Sequence, residues 1–310
     1  PTLIDDHDDL FRKVSTKFSS EVPNFKVVHL NLKEESKKLK EQNQTIHADG
    51  ENLVINDLKS DYVHLHNNSQ FSVLQSTIKI SDIVKKTAEF KMNAVALTDK
   101  ANMMGCFHFY KAVKNHNDSV TNQKEKIKPI LGCELNVCED RSDKSYRDDG
   151  YQVVFLAKNK EGYENLMKMC SIGYTEGFYY VPRIDKDLVK EYKEGLIVLS
   201  GSKYGEVPNK IINVGEKQAS EACSWWKEIF LDDFYLEMNI HGEEENEIIN
   251  TQLLKFSKTH NVKLIATNNT KYISKEDANA HDILLCVKDG QQQSTPIGKG
   301  RGFRYGLKNQ

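Results

Sequence analysis

Tyr62-Val63-His64-Leu65-His66-Asn67-Asn68-Ser69-Gln70-Phe71-Ser72 is a short apolar run that ends on two histidines separated by a single residue. Alternate side chains of an extended strand share a face, so this spacing predicts that His64 and His66 point the same way and reach one ion together. Five later strand ends carry residues that would complete such a site, or substitutes for them. The reading of this chain turns on how many of them still bind metal.

Working outward, the pattern from Asp61 onward is of short β-branched runs alternating with amphipathic stretches. The runs are Tyr62–His64, Ala94–Thr98, Pro129–Val137, Gln152–Ala157, Leu196–Ser200, Phe234–Met238 and Lys263–Thr267. Between them, Ile80–Phe90, Met103–Lys114, Tyr163–Tyr174, Glu216–Phe230 and Glu244–His260 have helical spacing and enough length for right-handed crossovers. A last helix, Lys275–Val287, opens on Ser274 with Asp277 three residues on, a capping-box arrangement. Strand and helix repeated seven times, with strands apolar nearly throughout, predict an α/β fold with a parallel sheet covered by helices. Closed into a barrel, such a sheet gathers the residues at its strand ends around one mouth. Those residues are His64 and His66, Asp99-Lys100, Glu134, Gln152, Ser200-Gly201-Ser202, His241, and Asn269 with Lys271.

Upstream, residues 1–60 read as an N-terminal extension or linker, acidic at Asp5-Asp6-His7-Asp8-Asp9 and lysine- and glutamate-rich from Lys33 to Glu41. A strand is expected at Phe25–Leu30 and a hairpin turn at Asp49-Gly50. The acidic cluster reads as an exposed helix start, because adjacent carboxylates on a helix fan outward. With 310 residues, 38% hydrophobic and 28% charged, the chain has enough apolar material for one large core. No run approaches the ~20 apolar residues of a membrane helix, which points to the cytoplasm. A net charge of −2 excludes a protein that grips nucleic acid over its whole surface. The six cysteines form no Cys-x-x-Cys pair and read as reduced, buried thiols. The start on Pro1 and the stop at Gly306-Leu307-Lys308-Asn309-Gln310 suggest a piece of a longer chain.

Together, Val63-His64-Leu65-His66, Phe71-Ser72-Val73-Leu74, Ala94-Val95-Ala96-Leu97-Thr98-Asp99, Pro129-Ile130-Leu131-Gly132-Cys133-Glu134, Leu156-Ala157-Lys158-Asn159 and Ala266-Thr267-Asn268 resemble the polymerase and histidinol phosphatase (PHP) domain. More narrowly, they resemble its version at the N-terminal end of bacterial DNA polymerase III alpha subunits. The resemblance covers Asp61 to the end of the chain, with residues 61–298 as the domain and 299–310 as the start of the connection to a polymerase palm. It implies a distorted seven-stranded β/α barrel, TIM-like in outline. In metal-binding members it implies nine side chains holding up to three ions that activate water against a phosphate ester.

Carried across position by position, His64, His66 and Glu134 match that ligand set. The other six positions hold Gln75, Lys100, Gln152, Ser202, Asn269 and Lys271. An ammonium offers no lone pair and repels a cation, so the donor count permits one weakly held zinc at most. The expectation is a pocket in which Lys100 or Lys271 pairs with Glu134 in the metal's stead. The region would then be catalytically inactive, a scaffold for polymerase and partner binding in DNA replication. The parent chain would be a magnesium-dependent DNA-directed DNA polymerase (a nucleotidyltransferase). Implied partners are DNA through that parent, the palm domain in cis, a proofreading exonuclease subunit and the sliding clamp, with no membrane. The rival reading is an active metal-dependent phosphoesterase or 3′-5′ exonuclease using His64, His66 and Glu134 with a reduced metal set. Lys299, Arg301 and Arg304, interleaved with Phe303 and Tyr305, suit nucleic-acid contact. Asp99 is expected to orient neighbouring loops, His241 to be a loop histidine, and Ser200 and Ser202 not to act as nucleophiles, since no Gly-x-Ser-x-Gly elbow surrounds them.

Overall fold

A computed structural model describes residues 62–241 and 244–294. The chain divides into two units, residues 1–61 and 62–310, and the described residues belong to the second. The strand expected at 25–30, the hairpin at 49–50 and the basic residues Lys299, Arg301 and Arg304 lie outside the described residues.

The apolar runs form β1 (Ala94–Lys100), β2 (Lys128–Cys138), β3 (Tyr151–Ala157), β4 (Ile184–Asp185), β5 (Leu196–Leu199), β6 (Phe234–Met238) and β7 (Lys263–Ala266). The amphipathic stretches form α1 (Ile80–Glu89), α2 (Cys106–Ser119), α3 (Lys160–Thr175), α6 (Glu216–Phe230), α7 (Glu244–His260) and α8 (Ala278–Asp289). Two short helices, α4 (Lys186–Glu191) and α5 (Glu206–Asn213), were not expected. Ahead of α8 the Asp277 carboxylate accepts the Ser274 backbone N–H at 2.9 Å, the reciprocal half of a capping box.

The strands make one curled, mixed sheet in the order β1-β2-β3-β5-β6-β7, with β4 paired to the far end of β2. Two expectations are corrected. The sheet is not parallel throughout, because β3 runs antiparallel to both β2 and β5. The β2–β3 connection contains no crossover helix. It is a string of side-chain-capped turns in which Asp140, Asp143 and Asp148 accept from the backbone N–H of Ser142, Ser145 and Gly150, and Gly150 takes φ +72° to turn into β3. Without a crossover, the following strand must return antiparallel.

Secondly, Tyr62–His64 is not a ladder strand. The irregular segment that includes it lies between β1 and the residues after β7. Its His64 and Asn67 carbonyls accept from Ala96 N and Thr98 N (2.9 and 2.8 Å), its His66 carbonyl accepts from Thr270 N (3.0 Å), and Asn68 N donates to the Thr270 carbonyl (3.0 Å). The seventh strand is instead the two-residue β4.

Alternation along β1 separates two cores. Val95 and Leu97 pack outward with Ile80, Ile83 and Val84 of α1 and Phe109 and Val113 of α2. Ala96 faces the concave side with Val154, Leu156 and Leu199, against which Ile130, Tyr235 and Ile265 pack. By the same period of two, Lys100, Glu134, Gln152 and Glu237 share the concave face with Ala96, Ile130, Val154 and Tyr235. All six cysteines are buried free thiols.

Candidate functional site

At the ends of β1, β2 and β6 and the start of β3, the concave face changes from apolar to charged. Register sets this up: Lys100 lies directly opposite Glu134 across the β1–β2 ladder, and Gln152 lies opposite Asn136 across β2–β3. His66, 1% exposed, sits between two carboxylates. Its Nδ1 is 2.7 Å from Glu237 Oε1 and its Nε2 is 2.8 Å from Glu134 Oε2. Ionised carboxylates only accept, so both ring nitrogens must donate, and His66 is an imidazolium. Lys100 Nζ stands 3.6 Å from Glu134 Oε1. The Gln152 amide, turned to satisfy both neighbours, donates to Glu134 Oε1 at 3.3 Å and accepts from Lys100 Nζ at 2.7 Å. On the other flank, Glu237 Oε1 accepts from the Thr267 hydroxyl, Asn239 Nδ2 donates to Thr267 Oγ1 at 2.9 Å, and Glu237 N donates to Ser200 Oγ at 2.9 Å.

The electrostatics follow from this pairing. Burial alone would depress the His66 pKa, but the charges and hydrogen bonds of Glu237 and Glu134 outweigh it and carry the group up to about 9. Burial would raise Glu134, yet Lys271, Lys100 and His66 hold it far below the usual carboxylate range. Glu237 is likewise held low against its burial by His66. Lys271 is brought down to about 8 by burial and the nearby Lys100, with Glu134 opposing. Lys100 is also lowered, chiefly by burial.

His64 does not join this cluster. The segment carrying it is irregular, so the two-residue spacing no longer places it beside His66. It lines a cavity of about 20 Å³ with Ile78, Ile83, Thr87 and Val95, on the α1 side of β1. Tyr62 stacks edge-on against it at 4.8 Å, and burial brings its pKa down to about 4. It is a neutral packed imidazole. The remaining positions hold local contacts. Lys271 Nζ donates to Asn68 Oδ1, Asn269 Nδ2 donates to Ser202 Oγ at 3.0 Å, and the Gln75 carbonyl accepts from His281 Nε2 at 2.9 Å. Asp99 accepts from Ser69 N (2.6 Å), Ser69 Oγ (2.8 Å) and Ser72 Oγ (2.7 Å), pinning the loop after His66. Ser200 Oγ is taken up by Glu237 N.

Glu237 is the residue the sequence reading missed. Its signal is a carboxylate on the same parity as Tyr235 in Phe234-Tyr235-Leu236-Glu237-Met238, a strand otherwise apolar, where an unpaired charge facing a core is costly.

A protein-family model described as "PHP domain" matches residues 64–241. The chain is 40% identical over 240 residues to a DNA polymerase III subunit alpha of Borreliella burgdorferi, covering 76% of this chain and 20% of that protein. To the subunit alpha of Aquifex aeolicus it is 39% identical over 241 residues, covering 74% of this chain and again 20% of the relative. It thus spans about a fifth of the length of these relatives. A solved amidohydrolase structure from Chromobacterium violaceum aligns with a TM-score of 0.43 at 9% identity, over 67% of this chain and 87% of that one.

Proposed function

The chain belongs to the PHP domain family, and from that premise we propose that it is the N-terminal PHP region of a replicative DNA polymerase III alpha subunit, acting as a scaffold and not as a metal-dependent hydrolase. The parent chain would extend DNA with magnesium-held carboxylates of a palm domain, and this region would brace that palm and offer a surface to partner subunits. The similarity to subunit alpha proteins of two organisms supports the parent. The sheet would be closed into a barrel through the segment His64–Asn68, a reading supported by that segment's hydrogen bonds to β1 on one side and Thr270 on the other.

The observation that carries the scaffold reading is the state of His66, with both ring nitrogens engaged by carboxylates. A metal ligand must present an imidazole lone pair. Here Lys100 and Lys271 add two ammonium groups around Glu134, and His64 lies on the other side of β1. These residues do not fit a multinuclear metal centre. They support a hydrogen-bonded ion network in its place.

Elemental analysis of protein purified without chelator tests this. Less than one equivalent of zinc, manganese or iron per chain and no phosphoesterase activity are expected. Two or more equivalents, with activity lost on chelation, would make the scaffold reading wrong. The polymerase parentage is tested separately by the coding sequence: an open reading frame lacking palm carboxylates downstream of Gln310 overturns it.

A further inference from the structure

Helix α2 buries Phe109 and Val113 and presents a different set of residues outward. Phe107 is 69% exposed, Met104 just before the helix 67%, and Tyr110 52%. Their spacing of three residues places them on neighbouring positions of one helical flank. Phe71 stacks on His108 at 5.5 Å and its carbonyl accepts from Asn102 Nδ2 at 3.0 Å. This holds the loop that carries Val73, 71% exposed, against the start of the helix. Single exposed apolar side chains are ordinary, whereas several around one helix start form a patch.

The other end of the helix is basic. The Asn117 side chain bonds both the N–H and the C=O of Ile127, each at 2.8 Å, so the lysines flanking Ile127 stand beside the last turn of α2. Residues 104–128 contain five lysines against two acids, Asp118 and Glu125, in a chain whose net charge is −2. Lys114 is paired with Asp118. Among the described residues, Lys111, Lys124, Lys126 and Lys128 have no carboxylate within ion-pair distance. The face therefore runs from an apolar end at Met104 and Phe107 to an uncompensated basic end at Lys124–Lys128.

We propose that this face of α2 docks an acidic amphipathic segment of a partner protein, its apolar side chains on Met104, Phe107 and Tyr110 and its carboxylates along Lys111 to Lys128. Charge complementarity selects the acidic partner. Met104 and Val73, set beside the rings of Phe107 and Tyr110, give this end the mixed aliphatic and aromatic makeup of a protein-binding patch; a single strand stacking on those two rings is the competing occupant that the test separates. The inference rests on this surface alone and is independent of the scaffold reading.

The test is a selection of random peptides of about 15 residues displayed against the full 310-residue chain, followed by titration of the enriched sequences. Peptides with Leu, Phe or Met anchors and several Asp or Glu residues are expected. Their affinity should fall about tenfold or more in Phe107→Ala and in Lys111→Glu/Lys124→Glu, and should weaken with salt. Both variants change exposed side chains, and unchanged thermal unfolding verifies that they fold. Enrichment of basic or uncharged peptides, no enrichment, or affinities unmoved by either variant overturns the proposal. So does tighter binding of oligo(dT) than of any peptide, or a concentration-dependent dimer abolished by the same substitutions, which would assign the face to a second copy.

Discussion

Replacing Glu237 by Gln removes one of the two anions that hold His66 protonated, and the consequence is readable in the pH dependence of stability. In the folded protein His66 has its pKa raised from 6.5 to about 9. A base whose folded pKa is raised contributes stability that is complete below its unfolded pKa and lost as pH rises through the folded value. Between pH 6.5 and 8 this loss amounts to about 1.5 kcal/mol. Part of it is offset in the same window: the neutral, buried His64, with a folded pKa of about 4, returns about 0.4 kcal/mol as its unfolded form deprotonates, and the lowered His260 acts in the same sense. Lys271, lowered to about 8, also contributes in the opposite sense, by about 0.4 kcal/mol up to pH 8 and more above it. Urea unfolding at pH 6.5 and 8 should therefore show the unsubstituted protein losing about 0.8 kcal/mol net, and Glu237→Gln, in which the His64 and Lys271 contributions persist, losing far less or gaining. At pH 6.5 the variant should itself be weaker by about 3 kcal/mol, the low end of the cost of stripping one partner from a buried ion pair. That equals a fall in melting temperature of roughly 6–12 °C for a domain of this size. An equal slope in the variant, or a steeper loss in it than in the unsubstituted protein, would refute the buried imidazolium.

Three other perturbations probe what surrounds the network. Arg183, 1% exposed, donates to the carbonyls of Gly177, Asp148, Arg141 and Asp143; Arg183→Met leaves these unsatisfied, and limited proteolysis should shift to the β2–β3 connection, with unchanged cleavage contradicting its role as the pin. The Trp226 indole donates to Glu206 Oε2 at 2.8 Å, inside a knot in which Lys186 and Lys210 also hold Glu206; Trp226→Phe should cost about 2 kcal/mol in chemical unfolding, and a loss under ~0.5 kcal/mol would show the bond to be dispensable. Asp99→Asn leaves one side of the group unable to accept from the Ser69 hydroxyl or the Ser69 N–H and Ser72 hydroxyl; amide exchange of residues 69–72 should quicken by about tenfold or more for a loss near 1.4 kcal/mol, and unaltered protection would deny Asp99 its loop-orienting part.

How much of this was legible in the sequence depends on whether local pattern or distant pairing decided the outcome. The strands from Ala94 onward other than β4, and the helices from Ile80 onward other than the short α4 and α5, are local: β-branched runs and helical spacing place them within about five residues of their observed bounds. The direction of β3 was hidden because it depends on a connection without a helix, and only the aspartate-capped turns at Asp140, Asp143 and Asp148 announce that. The segment through His64 failed for another reason. A His-x-His spacing fixes a shared face only if the backbone is a ladder strand, and here Asn67 turns its side chain onto the His64 and Ala96 carbonyls, breaking the alternation and sending the two imidazoles to different sides of β1. Their charges then diverge as well, one driven neutral by an apolar cavity and the other driven cationic by two carboxylates. Glu237 was the available clue. An inward-facing carboxylate in an apolar strand demands a cation, Lys100 and Lys271 already have Glu134 to neutralise, and the remaining group able to become one was a histidine.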